Sequence, residues 1–220
     1  MQLSRAAFDA VIVDLDGTLV DTLGDFVAAL AAMLDELGLP VVDRVFVERS
    51  IGKGSEHLIR RTLEQVGGDP AGYPAAWAAY QRHYQRLNGM HSTVYPGVEA
   101  GLDRLAASGL KLACLTNKPG DFARELLARK ELSHHFGLVF GGGAFARQKP
   151  DPLPILETCR ALGSTPARTL VIGDSSNDAV AARAAGCPVL LVTYGYNHGQ
   201  PVREADADGW IDRLDAIEIG

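Results

Sequence analysis

Short apolar runs alternate along this chain with longer stretches in which apolar residues recur every three to four positions. The runs have the length and β-branched content of buried strands, and the longer stretches have the period of amphipathic helices. Strands and helices that alternate in this way predict an α/β protein with a doubly wound parallel sheet. The apolar runs are residues 10–13, 110–115, 136–140, 169–173 and 189–192.

The segment between the first two runs carries helical patterns and no strand pattern. Apolar stripes at helical spacing extend from Phe26 to Leu87. We therefore predict a small all-helical cap, residues 21–91, inserted after the first strand into a catalytic core of residues 1–20 and 92–220. An insert in that position is well sited to close over a site at the end of the strand.

Polar residues stand where several of these apolar runs end. Ligands of open α/β sheets bind outside the carboxyl ends of the strands, so we expect these side chains to meet at one rim. Two carboxylates follow the first run two residues apart, which puts both on one face of the strand. The polar residues are Asp14 and Asp16 after the first run, Thr116 and Asn117 after the second, Lys149 before the fourth, and Asp174 and Asp178 after the fourth.

Composition narrows the class of protein further. The net charge of -6 argues against a nucleic-acid surface and against a polybasic membrane face. No apolar run approaches the roughly 20 residues that a membrane span requires. Three cysteines without CxxC spacing predict buried, reduced thiols, and the amino-terminal residues lack the apolar stretch of a secretory signal, so we expect a cytoplasmic protein.

Four motifs appear in a fixed order: DLDGT, LTN, KP and GDSSND. In that order they resemble the signature motifs of the haloacid dehalogenase superfamily of phosphotransferases, and the resemblance covers nearly the whole chain. Within the superfamily, the segments SIGKGSEHLIRRTL and TYGYNHGQP resemble the phosphoglycolate phosphatase branch. The resemblance implies a helical cap that closes over the active site of an α/β core.

The resemblance also implies a mechanism that uses two carboxylates. Asp14 is expected to attack phosphorus and form an aspartyl-phosphate, which divides one difficult step into two. Asp16 is expected to protonate the departing alkoxide and then to take a proton from the hydrolytic water. An Asp at this second position favours rapid turnover by a phosphatase or a phosphomutase, because the ion-pumping ATPases of the superfamily carry Thr there.

Mg²⁺ is the expected cofactor, because the negative charge of a phosphoryl group repels attacking carboxylates. Its expected ligands are the carboxylates of Asp14 and Asp174 and the backbone carbonyl of Asp16. Asp178 is expected to lie behind these ligands, where it holds waters or orients Lys149. A role for Asp178 in the helix dipole alone stays open as an alternative.

Thr116, Asn117 and Lys149 are expected to hold the phosphoryl oxygens, although Asn117 could instead support its loop. The rest of the substrate must be recognised by the cap, and the loop at residues 50–55 leads into a helix whose N-terminus favours an anion. That arrangement suits the carboxylate of 2-phosphoglycolate. Lys53 is the best candidate for direct contact with this carboxylate, and a solvated loop lysine is an equally good interpretation. The expected specificity residues are Gly52, Lys53 and His57.

The leading functional hypothesis is Mg²⁺-dependent hydrolysis of 2-phosphoglycolate to glycolate and phosphate. The alternatives are a phosphatase for another small ester, such as a sugar phosphate or a nucleotide, and a phosphomutase of the β-phosphoglucomutase type. A non-enzymatic regulator is a third class, but it predicts the loss of at least one motif residue, and all are present. The expected partner is a small phosphorylated metabolite, with no nucleic acid and no membrane, and the chain is expected to be a monomer or a homodimer.

Overall fold

Six parallel strands form the central sheet in the computed structural model, which describes residues 2–220 of the chain. The spatial order is β6 (Leu138–Gly142), β5 (Lys111–Pro119), β2 (Ala10–Val13), β7 (Thr169–Gly173), β8 (Val189–Val192) and β9 (Gly209–Ile211). The chain winds outward from β2 to β6 on one side, returns beside β2, and winds outward from β7 to β9 on the other. The winding direction therefore reverses next to β2, which confirms the predicted doubly wound fold class.

Eight α-helices accompany the strands within residues 2–220. Four of them follow β2 and form the helical insert, and the other four alternate with the later strands of the sheet. The insert contains α1 (Leu23–Glu36), α2 (Arg44–Ser50), α3 (Gly54–Gln65) and α4 (Tyr73–Leu87). The core contains α5 (Val98–Ala107), α6 (Gly120–Arg129), α7 (Leu153–Leu162) and α8 (Ser176–Ala185).

The main departures from the sequence prediction are at strand ends. β5 continues to Pro119 instead of stopping before Thr116, and β6 begins two residues late and takes in Gly141. The edge strand β9 has three residues, too few for a periodic signal, and the sequence analysis missed it. The same holds for two short pairs, β1 (Gln2–Leu3) with β10 (Glu218–Ile219) and β3 (Val20–Asp21) with β4 (Thr93–Val94).

Alternate residues of the central strand face opposite layers of the core. Val11 and Val13 join an apolar cluster that includes residues of α5 and α6, whereas Ala10 and Ile12 join a second cluster with α7 and α8. This alternation is the two-residue period of a strand buried on both faces. Apolar packing on both faces therefore fixes the position of β2, and with it the position of the residues at its carboxyl end.

The helical insert has a separate apolar cluster, to which all four of its helices contribute together with Phe122 and Tyr196 of the core. Where the chain leaves and re-enters the core, β3 and β4 pair in antiparallel fashion. Beside this junction, the buried Asp25 carboxylate accepts hydrogen bonds from the backbone N–H groups of Gly89 (2.8 Å) and His91 (2.7 Å). These contacts tie the two ends of the insert together.

Two further expectations concern the cysteines and the membrane. Cys114, Cys159 and Cys187 are buried free thiols, as predicted, and the sulfur atoms of the last two lie 3.9 Å apart. Within residues 2–220, no helix combines the length and the apolar content that crossing a membrane requires.

Candidate active site

The polar residues from separate strand ends do converge beside the carboxyl end of β2. The Lys149 ammonium lies 3.0 Å from Oδ1 of Asp14 and 2.6 Å from Oδ1 of Asp178. Carboxylate oxygens of Asp14, Asp174 and Asp178 all lie within 4.8 Å of one another. The rim expected from the sequence is therefore a real cluster in the fold.

Local structure holds the carboxylate of Asp174 in this cluster. Its Oδ2 accepts a hydrogen bond of 2.8 Å from the backbone N–H of Tyr196, in the loop after β8. The Tyr196 hydroxyl in turn accepts from the backbone N–H of Leu23 at 3.0 Å and donates to Oδ1 of Asp21 at 2.6 Å. One tyrosine thus connects Asp174 to the start of α1, a role that the sequence did not reveal for this loop.

Lys149 is almost fully buried and keeps its charge. Burial lowers its pKa, but the adjacent carboxylates of Asp14 and Asp178 outweigh burial, so the pKa of Lys149 is raised. Its ammonium also donates to the Leu115 carbonyl at 2.9 Å. The result is a fixed positive charge beside Asp14, suited to an anionic substrate.

The carboxylates repel one another in this dry environment. Burial raises the pKa of Asp14 to about 7, against the opposing effect of Lys149. Burial, followed by the charges of Asp178 and Asp14, raises the pKa of Asp174 well above its usual range. Such shifts mark a place where ionised carboxylates need more positive charge than the two buried lysines, Lys149 and Lys118, supply.

The donor set fits a divalent cation of the Mg²⁺ type. The site contains four buried carboxylates and two buried lysines, so its negative groups outnumber its positive ones. The carboxylates are those of Asp14, Asp16, Asp174 and Asp178. Oδ1 of Asp14 is buried and has no partner with hydrogen-bond geometry, although the Lys149 ammonium lies nearby. Carboxylate oxygens are the ligands that hard cations prefer. A cation held here would relieve the repulsion that raises the pKa values.

Both oxygens of the Asp178 carboxylate are already engaged by protein. Oδ1 faces Lys149, and Oδ2 accepts from the hydroxyl of Ser175 at 2.8 Å and from its backbone N–H at 3.3 Å. This is a capping box at the start of α8. The geometry therefore supports the expectation that Asp178 orients Lys149 from behind, more than the alternative of a helix-dipole role alone.

Thr116 and Asn117 are neighbours in the chain, but their side chains have different hydrogen-bond partners. Oγ1 of Thr116 accepts from the backbone N–H of Lys118 at 3.2 Å, which leaves the hydroxyl proton available for a phosphoryl oxygen. The Asn117 amide instead donates to the carbonyls of Gly52 (2.9 Å) and Lys149 (2.8 Å), and its oxygen accepts from the Lys149 N–H. Asn117 thus braces the loops around the site, the second of its expected uses.

The structure does not bring all three expected specificity residues to the carboxylates. Gly52 lines the cavity that contains Asp14 and Asp16, and so does Ser55 at the start of α3. Lys53 and His57 line a separate groove. Lys53 directly precedes α3, and His57 follows it by four residues. Residues four apart share one face of a helix, which explains why these two side chains line the same groove.

Lys118 is a site residue that the sequence analysis missed. Its side chain is 1% exposed, and its ammonium lies 2.9 Å from Oδ1 of Asp16 and 2.6 Å from the hydroxyl of Tyr84. It also lies over the rings of Phe26 and Tyr84, at 4.6 and 4.8 Å from their centres. Strand alternation could have found it, since Lys118 stands two residues after Thr116 in β5.

A cluster of buried carboxylates and lysines at the switch point of a doubly wound sheet defines an α/β enzyme for an anionic substrate. The family model for haloacid dehalogenase-like hydrolases matches residues 11–192. The chain belongs to that family.

Individual relatives agree with this assignment. A phosphoglycolate phosphatase from Thiobacillus denitrificans is 44% identical over 208 residues, which cover 93% of this chain and 92% of that protein. A phosphoglycolate phosphatase from Nitrosospira multiformis is 42% identical, with 93% and 92% covered. The crystal structure of a predicted phosphoglycolate phosphatase from Haemophilus somnus matches with a TM-score of 0.90 and 31% identity, and covers 95% of this chain and 96% of that one. The predicted superfamily and the predicted enzyme class, a phosphoric monoester hydrolase, are confirmed.

Proposed function

We propose that this chain hydrolyses 2-phosphoglycolate to glycolate and phosphate, with Mg²⁺ bound and through an aspartyl-phosphate on Asp14. The observation that carries the proposal is the buried pair of Asp14 and Asp16 in one cavity, with the Lys149 ammonium 3.0 Å from Asp14. The names of the relatives support the choice of substrate.

The helical insert encloses part of the cavity around Asp14 and Asp16. Insert residues such as Phe26 and Leu58 form part of the cavity wall. A substrate bound here would therefore contact the insert as well as the core.

In the first step, a carboxylate oxygen of Asp14 attacks phosphorus and the bond from phosphorus to the ester oxygen breaks. Asp16 donates its proton to the departing alkoxide, which leaves as glycolate. Lys149 and the Thr116 hydroxyl hold the phosphoryl oxygens during the transfer.

In the second step, water attacks the phosphorus of the aspartyl-phosphate. Asp16, now ionised, takes a proton from that water, and the bond between phosphorus and the Asp14 oxygen breaks. Phosphate leaves and the Asp14 carboxylate is restored. The same two carboxylates thus serve both halves of the reaction, with Asp16 returned to its protonated form.

Mg²⁺, when bound, would offset the repulsion between the Asp14 carboxylate and the phosphoryl group. The residues proposed to hold it are Asp14 and Asp174 through their carboxylates and Asp16 through its carbonyl. Asp178 would orient Lys149 from behind. The helical insert, residues 21–91 as a proposed cap, would exclude water from the cavity while the substrate is bound.

Phosphate release across a panel of small esters tests the proposal. With Mg²⁺ present, we expect a strong preference for 2-phosphoglycolate over glucose 6-phosphate, β-glucose 1-phosphate and AMP. Asp14→Asn and chelation of the metal should each abolish release. For the intermediate, Asp16→Asn should be mixed with an aryl phosphate, whose leaving group needs no proton, and the protein should gain the mass of one phosphoryl group on the peptide that contains Asp14.

The outcomes separate the competing functions. Activity spread over sugar phosphates or nucleotides would keep the mechanism and reject the proposed substrate. Conversion of β-glucose 1-phosphate to glucose 6-phosphate would identify the mutase. No release from any ester in the presence of Mg²⁺ would reject the hydrolase mechanism that we propose for these residues.

A further inference from the structure

Lys118 is placed unlike an ordinary structural lysine. It is buried in the wall of the cavity that holds Asp14 and Asp16, and one carboxylate, that of Asp16, is within ion-pair distance. An ammonium group has three N–H donors. Two of them are directed at Asp16 and at the Tyr84 hydroxyl, and no third acceptor lies within hydrogen-bond distance among residues 2–220.

The position of Lys118 relative to Asp16 matches the shape of a phosphorylated hydroxy acid. Asp16 must approach the ester oxygen if it is to protonate the leaving group, as proposed above. In 2-phosphoglycolate, one methylene separates the ester oxygen from the carboxylate, so the two groups lie roughly 3–4 Å apart. The Lys118 ammonium lies 2.9 Å from Oδ1 of Asp16, which is within reach of that carboxylate.

We infer that Lys118 is the residue that binds the carboxylate of the substrate, a role that the sequence pattern suggested for Lys53. This inference rests on the proposed function and adds the group that selects an acidic ester. Lys149 is paired with Asp14 and Lys118 with Asp16, so a substrate would extend from its phosphoryl end at Asp14 and Lys149 toward Lys118.

The surroundings of Lys118 favour a second anion beside it. Gly54 and Ser55 line the same cavity, and they are the first two residues of the twelve-residue helix α3. The first N–H groups of a helix have no partners within the helix and carry partial positive charge. A carboxylate between these groups and the Lys118 ammonium would find donors on both sides.

The helical insert shapes this subsite as well as covering it. Phe26 in α1 and Tyr84 in α4 pack their rings against the Lys118 ammonium, which comes from strand β5 of the core. Both rings hold the lysine in one orientation and exclude water, so its charge acts at short range in a medium of low dielectric constant. The apposition of core and insert therefore completes the subsite.

The test compares two substrates that differ in the carboxylate alone: 2-phosphoglycolate and ethyl phosphate, in which a methyl group replaces it. The wild-type enzyme should prefer 2-phosphoglycolate in kcat/KM. Lys118→Met should reduce that preference by about tenfold to a hundredfold, the range expected for one hydrogen bond to a charged group. Lys118→Gln keeps a hydrogen-bond donor without the charge and should lose most of the same preference. It provides a second test if Lys118→Met does not fold.

Two lysines serve as matched comparisons. Lys111→Met removes a lysine from the opposite end of the same strand, where its ammonium donates to the Leu162 carbonyl, and it should leave the preference unchanged. Lys53→Met tests the rival residue. Loss of the preference in Lys53→Met, with retention in Lys118→Met, would overturn the inference.

The remaining outcomes are also decisive. Equal slowing of both substrates in Lys118→Met and in Lys118→Gln would mean that Lys118 only positions Asp16, and would reject the inference. A wild-type enzyme that hydrolyses both esters equally well rejects it without any variant. A wild-type enzyme that releases phosphate from no ester would contradict the proposed function itself, which is a different failure.

Discussion

The close approach of two glycines to Asp174 leads to a quantitative prediction. Gly17, directly after Asp16, has φ +83°, and a Cβ atom there would lie 2.2 Å from Oδ2 of Asp174. Gly17→Ala therefore incurs two costs. The left-handed backbone costs about 1–2 kcal/mol for a residue with a side chain, and overpacking costs typically about 1–3 kcal/mol more.

Two other glycines separate these costs. Gly38, at the end of α1, has φ +65° with nothing within 4 Å of the position that a methyl group would take, so Gly38→Ala carries the backbone cost alone. Gly195 has no positive φ, but its Cβ would lie 2.2 Å from Cβ of Asp174, so Gly195→Ala carries the steric cost alone. Comparison of the three variants isolates the effect of displacing Asp174.

Thermal unfolding and phosphate release measure the two consequences. A loss of about 1 kcal/mol lowers the melting temperature of a protein of this size by about 2–4 °C. We expect a fall of about 2–8 °C for Gly38→Ala with full activity, and a fall of about 4–20 °C for Gly17→Ala. Displacement of a catalytic group by about 1 Å can cost a hundredfold in rate, so Gly17→Ala and Gly195→Ala should both lose most activity.

Equal falls in melting temperature for Gly17→Ala and Gly38→Ala, with full activity in both variants, would refute this prediction. That result would mean that the Asp174 carboxylate moves aside at no cost, and that its observed position does not matter to the reaction. Loss of activity in Gly17→Ala but not in Gly195→Ala would locate the sensitivity in the turn after Asp16, not in Asp174.

Two further predictions concern stability. Asp25→Ala removes the acceptor for the N–H groups of Gly89 and His91, and should lower the free energy of unfolding by about 2–4 kcal/mol in urea titration; an unchanged value would mean that water replaces the carboxylate. Burial raises the pKa of Asp14 from 3.8 to about 7, so between these values the native state binds a proton that the unfolded state does not. In chelator, the melting temperature should therefore fall as pH rises through that range, and this dependence should weaken in Asp14→Asn or on addition of Mg²⁺; an equally steep profile in Asp14→Asn would assign it to other groups.

Much of the fold was readable because its signals are local. The bounds of β2, β7 and β8 agree with the apolar runs that predicted them, because burial on both faces of a strand leaves a continuous apolar run in the sequence. Strand β9 left no such record. It has three residues and is held at the sheet edge by pairing with β8, an interaction between distant segments.

The same distinction applies to the candidate site. Asp14, Asp16, Thr116 and Asp174 could be named from the sequence, because they stand at the ends of apolar runs and parallel strands present their carboxyl ends to one rim. The sequence could not show that the Asn117 amide donates its hydrogen bonds to the carbonyls of Gly52 and Lys149. Its partners lie far from it in the chain, and nothing in a local pattern records which groups are left over for a ligand.

The sequence by itself thus determined the class of fold and the family, and it named the carboxylates that we propose to carry the chemistry. The tertiary structure alone decided which lysine faces the cavity. Lys53 precedes α3 on a face that turns to a separate groove, whereas Lys118 is enclosed between Asp16 of the core and Tyr84 of the insert. The physical reason is that burial of a charge depends on partners 102 and 34 residues away, which meet only when core and insert have assembled.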